Sequence, residues 1–180
     1  STATGWSATD GATLTITDQG VYAGSQIVKV ISSTTNYNRI TSSAYIGGIT
    51  PGASYYVSGY CKNISGNTRT VYISVQWFTS ADVLISEINT ASQGTLSNTA
   101  GWVRRYTTGT APANAAKAKV NLLSGTTGLS AGWETGFDNI LFEQSDSLRE
   151  FEAYTYGGVV RPTNTFSTNG PSVGFDEFIM

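Results

Sequence analysis

The feature that most constrains this chain is period-two alternation, repeated in short runs between turn signals. Ala12-Thr13-Leu14-Thr15-Ile16-Thr17 and Gln26-Ile27-Val28-Lys29-Val30-Ile31 alternate, and so do Tyr55 to Lys62 and Val71 to Phe78. Successive side chains of a strand point to opposite faces, so this pattern makes half-buried strands and leaves a helix no apolar stripe. Thr50-Pro51-Gly52 is a turn, with Pro presetting φ and Gly supplying positive φ. Asn63 to Asn67 and Ser80-Ala81-Asp82 break the next runs. Further strands are expected at Ala44 to Ile46, Val83 to Ser86, Trp102 to Thr108, Ala116 to Leu123 and Phe137 to Phe142. Nine or ten short strands without a helix predict an all-β fold, a jelly-roll β-sandwich of two antiparallel sheets.

The alternation also assigns faces. Tyr55, Val57, Gly59 and Cys61 share one side of their strand, against Tyr56, Ser58, Tyr60 and Lys62. Val71, Ile73, Val75 and Trp77 oppose Tyr72, Ser74, Gln76 and Phe78, while Ala116, Ala118, Val120 and Leu122 oppose Lys117, Lys119, Asn121 and Leu123. The predicted core therefore holds Val75, Trp77, Val120, Leu122, Ile140 and Phe142, with Trp102 largely buried. The opposite faces carry Tyr and amides where an ordinary solvent face carries more Lys and Glu. A pyranose ring lays its C–H face on an aromatic ring, and its hydroxyls take planar amide, carboxylate or guanidinium partners. The expected ligand set is accordingly Tyr56, Tyr60, Lys62, Tyr72, Gln76, Lys119 and Asn121. Trp133 and Glu134, in the loop before the last strand, join it. Tyr60, Tyr72 and Trp133 are expected to stack on sugar rings, and Gln76, Asn121 and Glu134 to bond hydroxyls. Lys62 and Lys119 would favour acidic or phosphorylated glycans.

Composition removes other functions. No histidine is present, which takes away the usual general base near neutral pH and the commonest transition-metal ligand. The one cysteine, Cys61, forms no internal disulfide and reads as a small buried hydrophobe. Net charge is −2, with no Lys/Arg block, so no nucleic-acid footprint is expected. No apolar run reaches the length of a membrane helix. The carboxylates fall mostly in turns and in the tail, with no pair at adjacent positions of two outer-face strands. No glycosidase dyad, nucleophile elbow or phosphate loop is legible, so the chain reads as a binder, not an enzyme.

A resemblance supports this reading. Gly5-Trp6, Tyr22-Ala23-Gly24-Ser25 before Ile27 to Val30, and Ile49-Thr50-Pro51-Gly52 leading to Tyr55 to Tyr60 occur in order. Val75-Gln76-Trp77-Phe78, Gly101-Trp102-Val103, Ala111-Pro112 and Phe137-Asp138-Asn139-Ile140 follow. In this order and spacing, residues 5 to about 152 resemble carbohydrate-binding modules of families 4 and 9. The stretch from Phe137 to Leu148 resembles the versions in minor tail proteins of phages that infect actinobacteria; secreted polysaccharide-degrading enzymes carry them too. The resemblance implies a module at 1–152, a polysaccharide or cell-surface glycan as ligand, and other subunits or modules of a larger assembly as partners. It implies a location in a virion tail or outside the cell. The alternatives are a structural spacer or oligomerisation module of a fibre, and the targeting module of a secreted glycoside hydrolase. The resemblance also implies a structural calcium, with Gly24, Ser25 and Asp138 at the matching positions. The Asn and Glu that the family often carries ahead of its Gly-Trp are missing here. Residues 153–180 fall outside the pattern and read as a linker or extension, either an extra strand or the edge of a next module. Their Gly174-Phe175-Asp176 echoes Gly136-Phe137-Asp138.

Overall fold

The computed structural model describes residues 5–10, 12–17, 27–33, 38–89, 94–125, 131–145, 153–156, 159–162 and 173–174. Among these residues every regular element is a strand. In chain order they are β1 (Trp6–Thr9), β2 (Ala12–Thr17), β3 (Ile27–Ser32), β4 (Asn38–Ser42), β5 (Ser54–Ser65), β6 (Arg69–Phe78) and β7 (Leu84–Ile88). There follow β8 (Gly94–Leu96), β9 (Val103–Thr110), β10 (Lys117–Ser124), β11 (Glu134–Gln144), β12 (Ala153–Tyr156), β13 (Val159–Pro162) and β14 (Val173–Gly174).

Two antiparallel sheets face each other. The front sheet runs β1-β4-β10-β6-β7, with β8 also paired to β6. The back sheet runs β2-β3-β11-β5-β9, with β14 paired to β11. β2-β3 and β6-β7 are consecutive strands, and the other neighbours along each sheet are distant in sequence, as a jelly roll requires. Among the described residues β12 and β13 pair only with each other, and β14 adds a short strand to the back sheet.

The core forms where the alternation placed it. Tyr55, Val57 and Cys61 of β5, Phe137, Ile140 and Phe142 of β11, Val71, Ile73, Val75 and Trp77 of β6, and Ala118, Val120 and Leu122 of β10 are all buried. Tyr55 stacks on Phe142, with centroids 5.3 Å apart, and meets Trp77 edge-on at the same distance. Gly59 leaves room for a close approach: a Cβ there would lie 2.3 Å from Ile140 Cδ1, so Ile140 would have to move. Ile140 reaches over it because β11 bulges between Asp138 and Leu141, with Asn139 at φ 49°, so the strand's pairing with β5 slips and its side chain turns inward.

Several expectations are corrected. Trp102 is half-buried on the outer side of the back sheet, its ring 3.3 Å from where a Gly136 Cβ would sit. Ala116 precedes β10 and is only partly covered. The run from Ala44 to Ile46 makes a single bridge, Ile46 to Ala118. The strand that fills its place is β4, Asn-Arg-Ile-Thr-Ser, which lies between β1 and β10 and has a largely buried polar row.

Candidate functional site

The expected ligand residues do not share one groove. Tyr56, Tyr60 and Lys62 project from β5 on the outside of the back sheet, and Glu134 projects from β11 on that same side, ion-paired to Lys29 at 2.8 Å. Tyr72, Gln76, Lys119 and Asn121 lie on the outside of the front sheet. Packed sheets are about 10 Å apart, with the core between, so no single sugar ring reaches both sets. Each strand's alternation was read correctly. What the sequence leaves unread is which strands share a sheet: β6 and β10 pair with each other, and β5 pairs with β11 and β9.

On the back, Tyr56 stacks on Tyr106, with centroids 6.4 Å apart, and Arg104 donates to Ser58 Oγ at 3.1 Å. Trp133 stands at one end of the sandwich and is a packing residue. Its ring holds the Arg69 guanidinium, 5.1 Å from the centroid, and lies against Gly66, where a Cβ would be 2.4 Å from the ring. Arg69 itself is buried, donating to Asn63 Oδ1 and Thr135 Oγ1 and to the backbone oxygens of Ser65 and Asn67. Burial, opposed by the nearby Glu134 carboxylate, lowers its pKa to about 10, so the guanidinium stays charged.

The front face is different in kind. A row of polar side chains crosses it perpendicular to the strands. Thr41 Oγ1 of β4 donates to Asn121 Oδ1 of β10 at 2.7 Å, and Asn121 Nδ2 donates to Ser74 Oγ of β6 at 3.0 Å. Ser74 Oγ donates to Glu87 Oε1 of β7 at 2.6 Å. Glu87 Oε2 accepts from Gln76 Nε2 at 3.1 Å and from Arg39 Nη1 at 3.3 Å. Arg39 Nε also pairs with Asp10 at 3.2 Å. Arg39 and Glu87 belong to strands separated by β10 and β6. Three strand spacings on a flat sheet are about 14 Å. An extended Arg and a Glu together bridge that span, so Arg39 and Glu87 lie along the face, over β10 and β6.

The relay explains its own burial. Ser74, Asn121 and Thr41 point away from the core yet are buried, as are Tyr72 and Leu123 beside them. A ligand does not reach Asn121, whose amide is already committed at both ends; it positions Ser74 and through it Glu87. Tyr72, expected to stack on a sugar, is likewise covered, at 7% exposure. The groups that present themselves are Arg39, Gln76, Glu87 and Lys119, all partly exposed. At the far end of the groove Tyr45 is 36% exposed, set edge-on to Phe78 with centroids 5.0 Å apart. Lys117 and Lys119 approach that ring to 5.2 and 4.6 Å. Sequence reading missed Arg39, Tyr45 and Glu87 as site residues. Phe78 was placed on the correct side but given no role.

The expected calcium rests on three positions. Gly24 and Ser25 lie outside the described residues. Asp138 is buried and its Oδ1 accepts from the Asn139 N–H at 2.8 Å, capping the bulge. Among the described residues no three His, Cys, Asp or Glu side chains cluster. Calcium takes six to eight oxygens, so the described donors alone do not fit it.

No protein-family model matches the chain, and no curated protein matches it in sequence. Solved structures do match its fold. The C-terminal family 22 carbohydrate-binding module of Clostridium thermocellum Xyn10B superposes with a TM-score of 0.63 at 18% identity, covering 81% of this chain and 89% of that one. The CBM22-1 xylan-binding domain of Paenibacillus barcinonensis Xyn10C gives 0.62 at 15% identity, over 82% and 90%. The enzymatically active domain of bacteriophage CBA120 tailspike protein 4 gives 0.50 at 16% identity, over 78% of this chain and 19% of that one. At such identities the likeness shows the fold, a two-sheet jelly-roll sandwich, and nothing finer.

Proposed function

We propose that this chain is a non-catalytic carbohydrate-binding module that holds a polysaccharide or cell-surface glycan on the outer face of its front sheet. The observation that carries the reading is the Thr41–Asn121–Ser74–Glu87 relay. It fixes a carboxylate and a guanidinium in the middle of that face, and the face ends in the exposed Tyr45 ring. Prepositioned planar polar groups beside an aromatic platform suit a sugar's paired hydroxyls and its apolar ring face. The partners named for the structural neighbours point the same way, since two of those proteins are described as xylan-binding or as a carbohydrate-binding module. Glu87 is held by three donors, Ser74 Oγ, Gln76 Nε2 and Arg39 Nη1, an arrangement that fixes its carboxylate on the face.

The wider setting belongs to the same proposal. The module works as one piece of a larger extracellular assembly, a phage tail in the reading favoured by the closing stretch from Phe137 to Leu148. A calcium held by Asp138 with oxygens of Gly24 and Ser25 is proposed as a structural support. A chelator should then lower the unfolding midpoint by several degrees, because an ion bound only to the folded state stabilises it by mass action. An unmoved midpoint removes the ion from the account.

A glycan array probed with the protein tests the main reading. Retained glycans should be lost on Arg39→Ala or Tyr45→Ala and kept on Tyr60→Ala, which lies on the other sheet. Binding unaffected by both front-sheet variants would overturn it.

A further inference from the structure

The front face carries an imbalance of charge at one end. Among the described residues three carboxylates reach this face, and each has a cationic partner. Asp10 and Glu87 share Arg39, and Asp82 takes Lys117 at 2.6 Å. The turn that presents Asp82 is built for that contact. Asp82 adopts φ 64°, its N–H reaches Thr79 O at 3.2 Å, and Thr79 N–H reaches Val83 O at 2.9 Å, which holds the carboxylate beside the start of β10. Lys119 is the cation left over. Its ammonium has the Ser43 carbonyl at 3.4 Å and the Tyr45 ring at 4.6 Å, and no carboxylate partner among the described residues.

Lys119 stands between Gln76, its cross-strand partner, and an aromatic strip. Tyr45 meets Phe78, and Phe78 pairs across the sheet with Leu84, which is 50% exposed. An exposed aromatic and aliphatic strip with the Lys119 ammonium over its Tyr45 ring suits a ligand ring that carries an apolar face and a negative substituent.

Resting on the carbohydrate reading above, we infer that this end of the groove is a subsite for a uronic acid. The sugar's C–H face lies on Tyr45 and its carboxylate pairs with Lys119. A carboxylate is favoured over a phosphate because, of the two ammonium groups at the ring, Lys117 is taken by Asp82 and Lys119 offers a single point charge, where phosphate binding draws on several donors or a guanidinium fork. The contact is exposed, so charge adds selectivity of roughly two- to fivefold per sugar, and it weakens as salt shortens the screening length.

The test measures binding to glucuronoxylan and to the same polymer after carboxyl reduction, which keeps the backbone and removes the charge. The wild-type protein should bind the acidic form a few-fold tighter at low salt, with the difference shrinking at high salt. Lys119→Gln should bring the ratio close to one, and Tyr45→Ala should weaken both forms. Equal binding of the two polymers by wild type would overturn the uronate assignment while leaving the groove reading in place. So would a ratio that Lys119→Gln does not move, or a preference for a phosphomannan over the uronate polymer. Failure to bind either xylan or any glycan of the array would overturn the groove reading itself.

Discussion

Glu87→Gln puts the centre of the groove to the test. The change keeps the shape and leaves an amide oxygen to accept from Ser74 Oγ. It removes the charge that Arg39 faces at 3.3 Å and turns an NH2 group toward the donors Gln76 Nε2 and Arg39 Nη1. The ion pair joins side chains that are each 23% exposed, so after screening it is worth at most about 1 kcal/mol. The lost charged bond from Gln76 adds about 1 kcal/mol more, at the low end because the group is partly solvated. A total of about 2 kcal/mol lowers Tm by roughly 4–8 °C in a chain of this size. Thermal unfolding followed by circular dichroism reads this directly. Ser74→Ala should be non-additive with it, by about 1 kcal/mol in a double-mutant cycle, since the two side chains act as one network. If Glu87→Gln shifts Tm by less than about a degree, or if the cycle is additive, the relay is not what orders this face.

Other outcomes follow from the same structure. Tyr72→Ala should cost about 3 kcal/mol of stability although Tyr72 points away from the core, because the residue is covered. Tyr45→Ala should cost under about 0.5 kcal/mol and fall on binding instead; urea titrations of both variants check the contrast. Burial raises the Cys61 thiol from 9.0 to about 12, opposed in part by Arg105. The folded state therefore holds the proton more tightly than the unfolded one. That contribution is complete below pH 9 and is lost as pH rises from about 9 toward 12. A thiol-specific chromogenic reagent at pH 8 should label Cys61 only at the rate of unfolding, and fast labelling of folded protein would contradict the burial.

The fold was legible because alternation is a local property. Val71, Ile73, Val75 and Trp77 declare their face within one strand, whatever that strand pairs with. Sheet membership is not local, and there the reading from sequence stopped. Tyr60 and Tyr72 look alike along the chain and end on opposite sides of the molecule. β4 escaped notice because, apart from Ile40, its covered residues are polar. Asn38, Thr41 and Ser42 are buried through hydrogen bonds, such as Thr41 to Asn121 and the Val120 N–H to Ser42 Oγ, and carry no hydrophobic signature. Arg39 went unseen with it. Glu87 sits at the end of a short strand and gains its place only when β7 is laid beside β6. Tyr45 lies in an irregular segment whose single bridge to β10 no periodicity predicts.

The central claim is that the front sheet's outer face, not the back sheet's, takes the glycan. Amide chemical-shift mapping tests it most directly, by titrating the full chain with a glycan retained on the array. The account predicts shifts concentrated on β4, β6, β7 and β10, around Arg39, Gln76, Glu87 and Lys119, with Tyr45 at their edge. Shifts centred instead on Tyr56, Tyr60 and Tyr106 of β5 and β9 would contradict it and move the site to the opposite side of the sandwich.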